Sequence, residues 1–215
     1  MPVSPSAIHE RSLVQLTTLI DRSLADVRLE AGLMNVELIP VWEIIEDVVI
    51  GASTAAQARG LHFEVAPVDH TITVEADRQI LTAAIANLLQ NAFKFTRPFT
   101  TVRLKASTTT TRVLVDVEDE CGGLPPGSAE TMLRPFIQQG RDRTGLGLGL
   151  SICFKAVRAS GGSLRIRDLP GAGCVFTIDL PKQPAPPTSS HDRKRKSATD
   201  RAGNGGAMAR TARTV

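Results

Sequence analysis

Apolar residues recur at helical spacing near the start of the chain. Leu13, Leu16, Ile20, Leu24, Val27 and Ala31 follow one another at intervals of three or four and form one stripe. Arg11, Asp21, Arg22, Asp26, Arg28 and Glu30 lie mostly off it. The pattern predicts a helix over 9–31, with Gly32 as its stop signal. A helix with one narrow apolar seam needs a partner, either its own domain or a second helix of a dimerising hairpin, and the seam alone leaves both open.

Beyond it the periodicity changes repeatedly. Residues 35–40 read as a short strand and 41–59 as a helix ended by Gly60. Residues 61–66 and 71–75 read as short strands. Asp77 is a good N-cap for a helix running to about Phe95. Residues 101–106 and 112–118 alternate on either side of a polar Ser-Thr-Thr-Thr-Thr stretch, the pattern of a hairpin. A Pro-, Gly- and Ser-rich stretch over 121–128 precedes a helix at 147–159, which Gly161 and Gly162 end. Residues 163–168 and 174–180 form a last strand pair around Pro170-Gly171. Helices and antiparallel strands mix without strict βαβ alternation. The expected fold is therefore α+β: a two-layer sandwich with a mixed, mostly antiparallel sheet and helices on one face, plus the N-terminal helix. Three segments result: 1–34 as an N-terminal helical segment, 35–181 as the folded domain, and 182–215 as a low-complexity tail expected to be disordered.

Composition adds limits. Of 215 residues 42% are hydrophobic, enough for a core, but with one Trp and no Tyr that core must rest on Leu, Ile, Val and Ala. No stretch approaches the roughly 18 apolar residues of a membrane span, and the first residues lack the pattern of a secretory signal. Cys121, Cys153 and Cys174 are an odd set without a C-x-x-C pair, which argues against a disulfide framework or zinc site and for a cytoplasmic location. The net charge of +3 is unevenly placed. Residues 182–215 hold eight Lys/Arg against Asp192 and Asp200, so the tail is +6 and the remainder −3. The basic balance is thus no sign that the folded part binds nucleic acid.

Three clusters carry chemistry. In Asn87-Leu-Leu-Gln-Asn91-Ala-Phe-Lys94-Phe95, the spacing puts Asn87, Asn91 and Lys94 on one helix face. An amide oxygen suits Mg²⁺ and a lysine suits phosphate, although an exposed polar stripe would look the same. In Val117-Glu118-Asp119-Glu120-Cys121-Gly122-Gly123-Leu124-Pro125, a carboxylate at a strand end precedes a tight turn. A carboxylate only accepts hydrogen bonds and can take one from an exocyclic amine, but a plain strand-to-turn junction is the common alternative. In Gly145-Leu146-Gly147-Leu148-Gly149-Leu150, alternate glycines leading into a helix let backbone N–H groups approach phosphate. A flexible linker would not need the intervening leucines.

Taken in order, N-x-x-x-N-A-x-K-F, D-x-C-G-G-L-P, R-P-F and G-L-G-L-G-L resemble the N, first glycine, F and second glycine boxes of histidine-kinase ATPase domains. These domains belong to the GHKL superfamily with gyrase, the Hsp90 chaperones and MutL. The resemblance covers about 36–181 and implies a Bergerat-type sheet backed by three helices, with Mg-ATP under a lid. It implies that Asn91 ligates Mg²⁺, that Asn87 and Lys94 act near the phosphates as the catalytic pair, and that Asp119 reads the adenine amino group. It further implies that Gly123 and Leu124 lie against the base, that Phe136 is the F box, and that Gly145, Leu146, Gly147, Leu148 and Gly149 form the phosphate-side hinge of a lid over about 125–144. Arg141 and Arg143 are candidates for the γ-phosphate.

The implied activity is γ-phosphoryl transfer to a histidine in a two-component system, with a response regulator downstream and a homodimer through the N-terminal helix. Related ATPases and serine kinases carry Glu at the position of Asn87. Asn cannot serve as a general base, so Asn87 favours a histidine acceptor, whose neutral imidazole needs less activation. Hydrolysis, serine phosphorylation and a truncated non-catalytic ATP-binding module are the alternatives. Two features depart from the family. Cys121 stands where a glycine or another small residue is usual. His9-Glu10 begins like an acceptor motif but lacks its proline, and His62, His70 and His191 fit it no better, so the acceptor histidine is expected on another chain.

Overall fold

The computed structural model describes residues 27, 31–125, 132 and 149–184. Most of the expected N-terminal helix with His9, the lid with Phe136, Arg141 and Arg143, the glycine-hinge residues Gly145, Leu146, Gly147 and Leu148, and nearly all of the tail with His191 lie outside the described residues. The elements in chain order are β1 (Val36–Pro40), α1 (Val41–Gln57), β2 (His62–Val65), β3 (Thr73–Asp77), α2 (Arg78–Phe95), β4 (Thr101–Thr108), β5 (Arg112–Asp119), α3 (Gly149–Ala159), β6 (Ser163–Leu169) and β7 (Gly173–Pro181).

Period-two alternation dictates the layering. In β5, Val113, Val115 and Val117 are buried while Leu114, Asp116 and Glu118 are only partly covered. In β4, Val102 and Leu104 are buried and Arg103 and Lys105 exposed. Phe176, Ile178 and Leu180 continue the buried row on β7. One face of the sheet therefore needs an apolar cover. Helix α2 supplies much of it through Ile80, Leu81, Ala84, Ile85, Leu88, Leu89, Ala92 and Phe93, and α1 adds Ile44, Ile45 and Val48. Each of the Ile, Leu, Val and Phe side chains among them is worth about 1.5–3 kcal/mol when fully buried. Helix α3 joins α2 closely: the Cys153 thiol donates to the Ala84 carbonyl at 2.8 Å. The opposite face is charged, with Thr177 donating to Asp116 at 2.6 Å and Arg112 and Arg165 pairing with Asp179.

The five-stranded sheet has the order β2-β4-β5-β7-β6, parallel only between β2 and β4. This is the mixed, mostly antiparallel α+β architecture expected. A refinement is that β1 and β3 do not join it but form a separate antiparallel ribbon. Strand β3 starts later than the alternation suggested and ends on Asp77, so one residue closes a strand and caps a helix. The β4–β5 strands also reach further than expected, leaving a shorter turn at 109–111. Residues 182–184, grouped by composition with the tail, are held in place: Gln183 makes an isolated bridge to Thr73, which returns a hydrogen bond from its hydroxyl at 2.9 Å. None of the described helices is long and apolar enough to cross a membrane.

Asp77 is a junction. Its Oδ1 accepts from the Ile80 N–H at 3.1 Å and its Oδ2 from the Asn35 N–H at 2.9 Å. Asp77→Ala removes the cap of α2 and the tether of β1 together. The expected loss is about 1–2 kcal/mol, read as a lower urea midpoint with unchanged slope.

Candidate functional site

The alternation that buries Val113, Val115 and Val117 continues to Asp119 and puts a carboxylate in an apolar row. Asp119 is 7% exposed and pairs in register with Cys174 of β7. Its Oδ1 accepts from the backbone N–H of Cys121 at 3.0 Å and of Cys174 at 3.2 Å. Burial nevertheless raises its pKa above the usual aspartate value, outweighing these hydrogen bonds.

After Asp119 the chain turns away through Gly122 and Gly123, at φ 93° and 97°. Gly123 has no room for a side chain, since a Cβ would stand 3.0 Å from Asp168 Oδ1 and 3.2 Å from the Pro170 Cα. The turn is pinned there by the Leu124 N–H, which donates to Asp168 Oδ1 at 2.8 Å. Gly173 is tighter still: its Cβ would fall 1.7 Å from the Asp119 carbonyl oxygen, so the close approach of β7 to β5 beside the carboxylate requires glycine.

A cavity of about 170 Å³ opens against this turn. Asn91 on α2 and Asp119 are its polar lining; Phe95, Leu124, Met132 and Phe176 supply apolar surface, with Cys121, Gly123, Pro125 and Cys174 between them. The structure thus brings together Asn91, Asp119, Gly123 and Leu124 from the expected set. Asn87 and Lys94 share their helix with Asn91 but do not line the cavity. Asn87 is 3% exposed, and its Nδ2 has no partner among the described residues. Thr82 Oγ1 on the same helix and Thr96 Oγ1 at its end are likewise without a partner among the described residues. Lys94 is half-buried, its Nζ 5.3 Å from the centre of the Phe95 ring. Gly149 opens α3, with Leu150 buried behind it. His62 is exposed on β2, and His70 stacks on Trp42 at 4.8 Å.

Asp168, Cys174 and Phe176 were not singled out as site residues. Asp168 could have been: Leu164, Ile166 and Asp168 share one strand face, the same carboxylate-in-an-apolar-row signal as at Asp119. Cys174 and Phe176 look like ordinary core positions, and only the register of β5 against β7 brings them to the cavity.

An amide oxygen on Asn91 suits a hard cation that keeps several waters and takes its other ligands from phosphate, so the cavity's edge fits Mg²⁺. The cluster of Asp119, Cys121 and Cys174 is a softer donor set and does not fit that ion.

Residues 76–184 match the family model described as histidine kinase-, DNA gyrase B-, and HSP90-like ATPase. The chain is 33% identical over 181 residues to sensor protein KdpD of Mycobacterium tuberculosis, covering 81% of this chain and 21% of that protein. To the alginate biosynthesis sensor protein KinB of Pseudomonas aeruginosa it is 28% identical over 187 residues, covering 82% and 31%. It therefore spans about a fifth to a third of the length of these relatives. Among solved structures, the nucleotide-free catalytic domain of histidine kinase ThkA superposes with a TM-score of 0.62 at 27% identity, covering 70% of this chain and all of that one. Full-length ShkA in complex with AMPPNP gives 0.68 at 27% identity, covering 85% and 39%.

The raised pKa of Asp119 has a measurable cost. As pH falls, the native state takes up this proton before the unfolded chain does, so the ionised side chain destabilises the fold at neutral pH. Relative to Asp119→Asn, the wild-type deficit in unfolding free energy should grow as pH rises from about 3.9 through the raised native value, then level off. Paired denaturation curves across that range check it; a difference independent of pH would contradict it.

Proposed function

This chain belongs to the histidine kinase-, DNA gyrase B- and HSP90-like ATPase family, and from that premise we propose that it is the Mg-ATP-binding catalytic domain of a protein-histidine kinase. The single observation that carries the reading is Asp119, a buried carboxylate facing an otherwise largely apolar cavity with Asn91 across it. A flat heterocycle with an exocyclic amine satisfies both requirements: apolar walls for its faces and an acceptor for its N–H. The carboxylate has acceptor capacity beyond its two backbone bonds.

From the adenine, the nucleotide runs along α2. Asn91 would hold Mg²⁺, which would neutralise phosphate charge. Asn87 lies one helical turn before Asn91, and its amide N–H₂, without a partner among the described residues, suits a phosphate oxygen. Lys94, one turn beyond, supplies a cation for phosphate. By the resemblance, the glycines at 145, 147 and 149, with Leu146 and Leu148 between them, serve the phosphates ahead of α3, and Phe136 serves as the F box. Catalysis rests on positioning and charge neutralisation for in-line transfer. Because Asn87 cannot remove a proton, the acceptor is a nucleophile that needs no base at that position, namely a neutral imidazole. That choice sets hydrolysis and serine phosphorylation aside.

None of the four histidines stands in an acceptor motif, so the acceptor lies on another polypeptide or domain, from which a response regulator takes the phosphoryl group. The similarity to the sensor proteins KdpD and KinB supports this setting. The domain works in the cytoplasm, where ATP is supplied, and the seam of the N-terminal helix serves a homodimer.

Calorimetric titration with ATP tests the reading. Wild type binds and gains affinity with Mg²⁺, and Asn91→Ala loses most of the Mg-dependent gain. Asp119→Asn weakens binding by about tenfold or more, the worth of a hydrogen bond to a charged group, while its thermal midpoint at pH 7 holds or rises. With radiolabelled ATP, phosphate passes to a separate histidine-bearing domain and not to this chain. Absence of binding by the wild type would overturn the proposal.

A further inference from the structure

The cavity wall contains two thiols that its nucleotide role does not use. Cys121 Sγ and Cys174 Sγ stand 3.3 Å apart, and all three cysteines of the chain are free. Their closeness follows from the backbone. Asp119 and Cys174 are register partners, and Cys121, two residues further on, returns to the same face. Both cysteine N–H groups converge on the one oxygen Asp119 Oδ1, which fixes the two residues relative to each other. Just beyond, Gly122 exchanges hydrogen bonds with the β6–β7 turn, its N–H to the Ala172 carbonyl at 3.1 Å and its carbonyl from the Gly171 N–H at 3.0 Å. A disulfide needs about 2.05 Å between sulfurs, so a shift of little more than an ångström separates contact from a bond.

We propose that Cys121 and Cys174 form a reversible disulfide in the wall of the cavity and that this oxidation weakens nucleotide binding. The inference rests on the nucleotide reading of the cavity only for its second half.

The co-reactant is a hydroperoxide. Cys121 is half-buried and lines the cavity, so its sulfur is the one oxidised first; Cys174, 1% exposed, then resolves it. The Cys121 thiolate attacks a peroxide oxygen, the O–O bond breaks, an S–OH group forms, and the departing hydroxide leaves as water with the proton lost from Cys121. The Cys174 sulfur attacks that of Cys121, the S–S bond forms, the S–OH bond breaks, and the second hydroxide leaves as water with the Cys174 proton. Two thiols and one hydrogen peroxide give one disulfide and two waters. Burial and the neighbouring Asp119 push both thiols above the usual cysteine range, so the thiolate fraction is small and the conversion is slow.

The effect on binding follows from which residue can move. Cys174 sits inside a paired strand, whereas Cys121 lies past the end of β5 at the head of the glycine turn. Closing the bond draws Cys121 toward β7 and so shifts the head of the turn that carries Gly123, which is packed closely enough against Asp168 and Pro170 that an added Cβ would stand 3.0 and 3.2 Å from them. It also alters the surroundings of the Asp119 carboxylate, since the Cys121 and Cys174 sulfurs and a carboxylate oxygen lie within 4.8 Å of one another. Both changes fall on groups that receive the base.

The test uses the full chain, with hydrogen peroxide as oxidant and ATP as ligand. Peptide mapping after peroxide should find a Cys121–Cys174 cross-link with Cys153 still free, and bound ATP should slow its formation. Affinity for ATP should drop about tenfold on oxidation and return with dithiothreitol. Cys121→Ser and Cys174→Ser, each compared with itself before and after peroxide, should lose the reversible change. Absence of the cross-link, or a cross-linked protein with unaltered affinity, would overturn the proposal. Reduced wild type that binds no ATP would instead overturn the nucleotide reading, while the mapped cross-link would still stand or fall on its own.

Discussion

A carboxylate held in an apolar row is the constraint on which the site depends. Strand alternation would place a hydrophobic residue at position 119, and the fold tolerates aspartate there only by gathering backbone donors around it. Those donors come from Cys121 and Cys174, on two different chain segments. The end of β5, the start of β7 and the turn leaving β5 are therefore all arranged around one oxygen. Glycine at 173 follows from the same closeness, because the Asp119 carbonyl occupies the space a side chain would need. The fold accepts an electrostatic penalty at this point in exchange for an acceptor facing a cavity.

The helix layer answers the sheet from the other side. Helix α2 is fixed at its start by Asp77 and along its length by a broad apolar stripe, and this places Asn91 at the cavity. Polar positions on the same helix experience different surroundings: Asn87 is enclosed, Asn91 borders the cavity and Lys94 is half-covered. Arg78, paired with Glu43 and Asp47, ties α1 to the first turn of α2 and stiffens that arrangement at the surface.

Much of this was legible in the sequence because it rests on local periodicity. The Asp77 cap, the stop at Gly60, the 101–119 hairpin and the final strand pair each have a signal within a few residues. The clusters around Asn91 and Asp119 were legible for the same reason, each being contiguous. What was not legible depends on pairing between distant segments. The separation of β1 and β3 into their own ribbon, the bridge from Gln183 to Thr73 and the arrival of Cys174 beside Cys121 are set by register, which no short window contains. Asp168 lies between these cases, its alternation visible but its partner Leu124 far away in the chain.

The small ribbon has a consequence for how such a domain can be wired. Asn35, on the way in, is bonded to Asp77, and Gln183, on the way out, is bridged to Thr73; these are the two ends of the single five-residue strand β3. Both leads of the domain thus attach to one connector, set apart from the five-stranded sheet that carries Asp119. A module with its inlet and outlet on one fitting can be spliced between other segments of a longer polypeptide with both joints on the same strand.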